Sequence, residues 1–126
     1  MNSLSLERST MDIYTVFENL NANKKDNNTA IIKQEDQELE ITITTSNNLC
    51  TISVSTFCKE SEAKHNIINS MNRYEKTVKY SLENDLLVLK TTLWVDRKPT
   101  KTSLTELINI MIAKTMSTKE VLGAIE

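Results

Sequence analysis

His65, Cys50, Cys58 and two short acidic runs are the side chains whose chemistry could support proton transfer, nucleophilic attack or metal binding. His65 is the single histidine. It falls about two residues off the apolar stripe of a predicted helix, which aims it toward solvent. A zinc site wants three or four converging ligands, and two cysteines eight residues apart plus one histidine offer no such spacing. No metal site and no cofactor site is therefore expected. Cysteine catalysis needs a thiolate beside a base. Cys50 has the parity of a core-facing strand residue and reads as a small buried hydrophobe. Cys58, at a strand-to-helix junction, leaves reactivity open. The runs Glu35-Asp36-Gln37-Glu38 and Glu83-Asn84-Asp85 fall in predicted turns, whereas acid/base work needs a carboxylate held in an apolar pocket. One glycine in 126 residues excludes phosphate-cradling loops, which need several to let backbone approach the ligand. No catalytic residue is expected, and the chain reads as a non-enzyme.

Composition narrows the partner. A net charge of −2 supplies no surplus of Lys and Arg for a phosphate backbone, so nucleic acid is not expected. The longest apolar stretches fall far short of the roughly 20 residues that cross a bilayer. Met1-Asn2-Ser3-Leu4-Ser5-Leu6-Glu7-Arg8 lacks the basic head and apolar run of a signal peptide, so a cytoplasmic location is expected. At this length the chain has room for one core, expected over residues 9–126, after a flexible segment at 1–8.

The elements that would position these residues follow from periodicity. Ser9-Thr10-Met11-Asp12 can cap a helix whose Ile13, Val16, Phe17 and Leu20 share one stripe, and the polar run from Asn21 to Asn28 ends it. Three strands are predicted over residues 29–34, 39–45 and 49–56. Leu39, Ile41 and Ile43, then Cys50, Ile52 and Val54, alternate with polar neighbours, and the short connections make an antiparallel meander with one wet face. From Lys59 the period becomes helical, with Ala63, Ile67, Met71 and Tyr74 on a stripe and Ser61 as cap. Val78, Tyr80 and Leu82 open a hairpin. Its second strand, residues 86–95, is apolar at both parities and is expected to be central or covered on both faces, while Trp94 at its end is open between core and surface anchor. Ser103-Leu104-Thr105-Glu106 is a capping box for a last helix burying Leu104, Leu107, Ile108 and Met111, widened by Ile110 and Ile112. Ser117-Thr118-Lys119-Glu120 offers a point where that helix could bend or restart. The predicted class is α+β, one domain in the order α-β-β-β-α-β-β-α, with a largely antiparallel sheet packed against helices.

In that order, the helix ending Ile67-Ile68-Asn69-Ser70-Met71-Asn72, the strand from Val78 to Leu82, an acidic turn, the strand Leu86-Leu87-Val88-Leu89-Lys90-Thr91-Thr92-Leu93 and a helix opened by Ser103 resemble the bacterial type III secretion chaperone-like superfamily. That superfamily includes class I effector chaperones and YbjN-like sensory-transduction regulators. The resemblance implies an acidic, non-enzymatic homodimer that binds a protein partner. It makes Ile67, Met71, Tyr74, Val78 and Tyr80 candidates for the dimer interface, and Ile13, Val16, Phe17 and Leu20 candidates for partner binding. The competing reading is that all nine are simply core. A cytoplasmic chaperone or adaptor acting through apolar surface is the first functional expectation. A YbjN-like regulator without an export client is the alternative, and a toxin-neutralising immunity protein a further one.

Overall fold

The computed structural model describes residues 13–46, 49–94 and 101–125. Six strands form one antiparallel sheet: β1 (Asn23–Lys24), β2 (Thr29–Gln34), β3 (Gln37–Ser46), β4 (Leu49–Phe57), β5 (Lys79–Glu83) and β6 (Leu86–Trp94), in spatial order β1-β2-β3-β4-β6-β5. Among the described residues three helices accompany them: α1 over residues 13–19, α2 (Glu62–Tyr74) and α3 (Lys101–Gly123). The class and the antiparallel meander are as the sequence predicts, with β1 as an addition. It is two residues long and lies inside the polar run from Asn21 to Asn28. Too short to show a period, it exists because Asn23 and Lys24 pair with Ile31 and Ala30.

The alternation in β3 and β4 becomes one buried face. Leu39, Ile41, Ile43, Ile52 and Val54 are fully buried, and register sets Ile41 opposite Val54 and Ile43 opposite Ile52. β6 continues this face with Leu87 and Leu89, β5 with Tyr80 and Leu82, and α1 and α3 close it with Val16, Phe17, Ile108 and Met111. The opposite face, built from residues such as Glu40, Thr42, Ser53, Val88 and Thr92, is half-buried or exposed at its described positions apart from Thr29, buried opposite Thr42. β6 does lie centrally, between β4 and β5. Among the described residues it is covered by helices on one face only: Leu86 is 42% exposed and Val88 half-buried, with no described helix packed on their side.

The helix ends follow local chemistry. Ser61 is the N-cap of α2, its hydroxyl accepting from the Lys64 N–H at 3.2 Å. α3 begins at Lys101, two residues before the predicted capping box, and runs without a break past Ser117. The second capping sequence is overridden because the helical ladder continues through it. The Thr115 and Thr118 hydroxyls donate to the Met111 and Lys114 carbonyls, both at 2.7 Å, within the helix. Ile112 joins the core as expected, but Ile110 is 52% exposed. The N-terminal segment 1–8, the cap at residues 9–12 and the side chains of Trp94 and Ser103 lie outside the described residues.

Two turns carry backbone strain. Glu35-Asp36 joins β2 to β3 and Asn84-Asp85 joins β5 to β6, and all four residues have positive φ: 49°, 69°, 55° and 59°. Two left-handed residues in a two-residue hairpin are the type I′ arrangement, best served by Asn-Gly. Glu is poorly suited to it, since the left-handed region costs an ordinary L-residue roughly 1–2 kcal/mol. Replacing Glu35-Asp36 with Asn-Gly is expected to stabilise the fold by about 1 kcal/mol, read as a higher urea midpoint with unchanged slope. Asp85→Gly should gain nothing, because the Asp85 carboxylate accepts the Glu60 N–H at 2.9 Å.

Candidate functional site

The groups with reactive potential are each tied into the fold. Cys50 and Cys58 are both unpaired thiols, each 4% exposed. Burial pushes the Cys50 thiol pKa up, disfavouring the thiolate a nucleophile needs. The backbone N–H of Cys58 donates to the Asp85 carbonyl at 3.0 Å, which ties the end of β4 to the β5–β6 turn. His65 faces solvent as expected, its side chain 42% exposed, and its Nε2 also meets Glu60 Oε1 at 2.9 Å. The other Glu60 oxygen accepts the Asp85 N–H at 3.1 Å, and Asp85 returns the contact to the Glu60 N–H. Glu60, His65 and Asp85 thus form a brace between the start of α2 and the β5–β6 turn. Among the described residues, no three or more His, Cys, Asp or Glu side chains gather as metal ligands would.

Of the second acidic run, Glu83 is the last residue of β5, and Asp85 is the carboxylate that serves the turn, through the brace to Glu60. Glu75, at the C-cap of α2, accepts from the Thr77 hydroxyl and N–H and from Lys114 Nζ at 3.4 Å. Those Thr77 bonds hold its carboxyl below the usual carboxylate range.

The nine apolar candidates separate into two groups. On α1, Val16, Phe17 and Leu20 are buried in the core, and Ile13 is half-buried against it. The exposed apolar residue of α1 is instead Tyr14, 50% exposed, with Lys24 Nζ 4.4 Å from its ring centre. Val78 and Tyr80 are also buried. In contrast, Ile67 and Met71 are half-buried and Tyr74 is 81% exposed. These three sit at i, i+4 and i+7 on α2, a stripe along which Ile67 and Met71 pack against the core while Tyr74 stands exposed. Ile68 is the residue by which α2 enters the core.

The Asn72 side chain ties α2 to the outer edge of β5. Asn72 Nδ2 donates to the Tyr80 carbonyl, and its Oδ1 accepts the Tyr80 N–H, both at 2.7 Å. The amide thus takes the place of a neighbouring strand at the sheet's edge. A second apolar area lies on the open sheet face, where Phe57, 62% exposed, pairs with Leu86 beside half-buried Val88. Lys119 Nζ from α3 lies 5.9 Å from the Phe57 ring centre. Periodicity finds the α2 stripe but misses Asn72, whose role depends on an approach between two elements. It also misses Phe57, whose parity puts it on the wet face.

No protein-family profile matches the sequence, and no curated protein matches it. Solved structures do match in fold. The Yersinia pestis type III secretion chaperone SycH, determined in complex with a stable fragment of YscM2, superposes with a TM-score of 0.60 at 9% identity, covering 87% of this chain and 98% of that one. YbjN from E. coli, a proposed transcription regulator, gives a TM-score of 0.60 at 15% identity over 88% of this chain and 89% of its own. The likeness spans nearly the whole of each chain, and at these identities it shows the fold, which is the one the element order suggested.

Proposed function

From this secretion-chaperone-like fold, we propose that the protein is a non-enzymatic, cytoplasmic module that binds a partner polypeptide through apolar surface and works as a homodimer. The observation that carries the reading is the α2 stripe of Ile67, Met71 and Tyr74, half-buried against the core at its first two members and ending in a tyrosine 81% exposed. Large apolar side chains grouped on one helix face mark interaction sites more than isolated ones do. The stripe serves as the dimer contact, with Val78 and Tyr80 supporting it from the buried side. The Phe57–Leu86 area and the outer surface of α1, now Ile13 and Tyr14, are left for the partner. Among the described residues no helix is long and apolar enough to cross a membrane.

Light scattering tests the dimer. Wild type is expected at twice the monomer mass, and Tyr74→Glu at the monomer mass with an unfolding midpoint within about 0.5 kcal/mol of wild type, as for an exposed position. A monomeric wild type ends the dimer proposal. Pull-down from the native cell tests the partner, with one dominant polypeptide expected, bound through an extended segment. The YbjN neighbour, equal in TM-score, supports the second reading, a regulator without an export client. A dimer that repeatedly captures no such polypeptide moves the assignment there.

A further inference from the structure

The register of the β5–β6 ladder places Lys79 directly opposite Lys90, with Ser53 on the other side of Lys90 in β4. Each lysine is exposed between buried chain neighbours, Val78 and Tyr80 for one and Leu89 and Thr91 for the other, so both side chains leave the sheet on its open face. Directly opposed residues in an antiparallel pair have Cβ atoms about 4.5–5.5 Å apart, and like charges there destabilise the sheet. Neither lysine is relieved by an acid, since the ion pairs among the described residues use Lys25, His65 and Lys114.

Lys79 and Lys90 line a groove together with exposed Lys76 and Thr92. The carboxylate lining that groove, Glu75, is already engaged by Thr77 and Lys114. In a chain of net charge −2, the groove is a local concentration of uncompensated positive charge.

We infer that this groove docks an acidic segment of a partner polypeptide, with a carboxylate bridging Lys79 and Lys90 and a neighbouring one meeting Lys76. The inference rests on the protein-binding reading and adds the charge of the partner. Three ammonium groups suit a short acidic segment. Binding to a nucleic-acid backbone typically draws on about 6–10 phosphate contacts.

The test is amide chemical-shift mapping of the ¹⁵N-labelled full chain with two synthetic dodecapeptides, one alternating Glu and Thr and the other alternating Gln and Thr. The Glu peptide is expected to shift the amides around Lys76, Lys79, Lys90 and Thr92, with affinity falling between about 50 and 200 mM NaCl as screening tightens. The Gln peptide should leave them in place. Lys79→Gln with Lys90→Gln should weaken the Glu peptide roughly fivefold or more, the scale of one or two surface ion pairs. The same double variant should keep or raise the urea midpoint, because it removes the opposed charges, so lost binding cannot be lost folding. Equal shifts with both peptides, shifts confined elsewhere, no shifts, or unchanged binding by the double variant would each overturn the inference. If the mapping fails while pull-down still captures a polypeptide, only the acidic character of the partner is lost.

Discussion

Phe17→Ala is expected to destabilise the protein by about 3–5 kcal/mol, the usual cost of removing a fully buried aromatic ring and leaving its cavity. Phe17 is 2% exposed and sits among Val16, Leu20 and the sheet's buried face. A domain of this size has about 5–15 kcal/mol of stability, so the loss takes a large part of it and raises the unfolded fraction more than about a hundredfold. Urea unfolding followed by circular dichroism reads the effect. The experiment also separates two roles for this helix face, since a residue held out for a partner could be truncated with little effect on the isolated chain. Tyr14→Ala is the matched control. It is 50% exposed and its main partner is the Lys24 ammonium, so it should cost no more than about 1 kcal/mol. A Phe17→Ala midpoint equal to that of Tyr14→Ala would mean that α1 is not part of the core.

What could be read in the sequence was whatever repeats along a single element. Leu39, Ile41 and Ile43 declare one buried face by alternation, and all three are fully buried. Ser61 declares the start of α2 by its type and place, and its hydroxyl makes the capping bond. The stripe of Ile67, Met71 and Tyr74 is legible for the same reason, although periodicity does not tell how deeply each member lies. The α1 candidates show this: the pattern that aligns Val16, Phe17 and Leu20 is equally that of a core helix, and the core takes them. β1 escapes notice because two polar residues carry no period, and α3 runs through the second capping sequence, at Ser117, because packing of Ile108, Met111 and Leu122 holds the helix through it. Features that need two elements in register stay hidden. Lys79 and Lys90 are eleven positions apart in the chain and become opposite neighbours only once the Asn84-Asp85 turn fixes the ladder.

Asn72 is the clearest case, and it carries the second large expected effect. Its side-chain amide holds both the N–H and the carbonyl of Tyr80, two of the backbone groups of β5 that face away from β6. Each bond contributes about 0.5–1.5 kcal/mol net, so Asn72→Ala should cost about 1–3 kcal/mol. Asn72→Asp keeps an acceptor for the N–H but sets a negative oxygen against the Tyr80 carbonyl, so at neutral pH it should do no better than alanine. Stability alone would not separate the edge-sealing role from ordinary packing, and hydrogen exchange does. With the amide gone, the Tyr80 N–H loses its acceptor while the β5–β6 ladder is intact, so its protection should collapse in Asn72→Ala well beyond the change at Leu89 in the central strand. The freed edge is also a template for pairing with another chain. The alanine variant should therefore self-associate with rising concentration through β5, and addition of Tyr74→Glu on the neighbouring helix should not abolish that association if it is strand pairing rather than the α2 contact. Protection at Tyr80 falling only in step with global stability, with no new association, would reduce Asn72 to a packing residue.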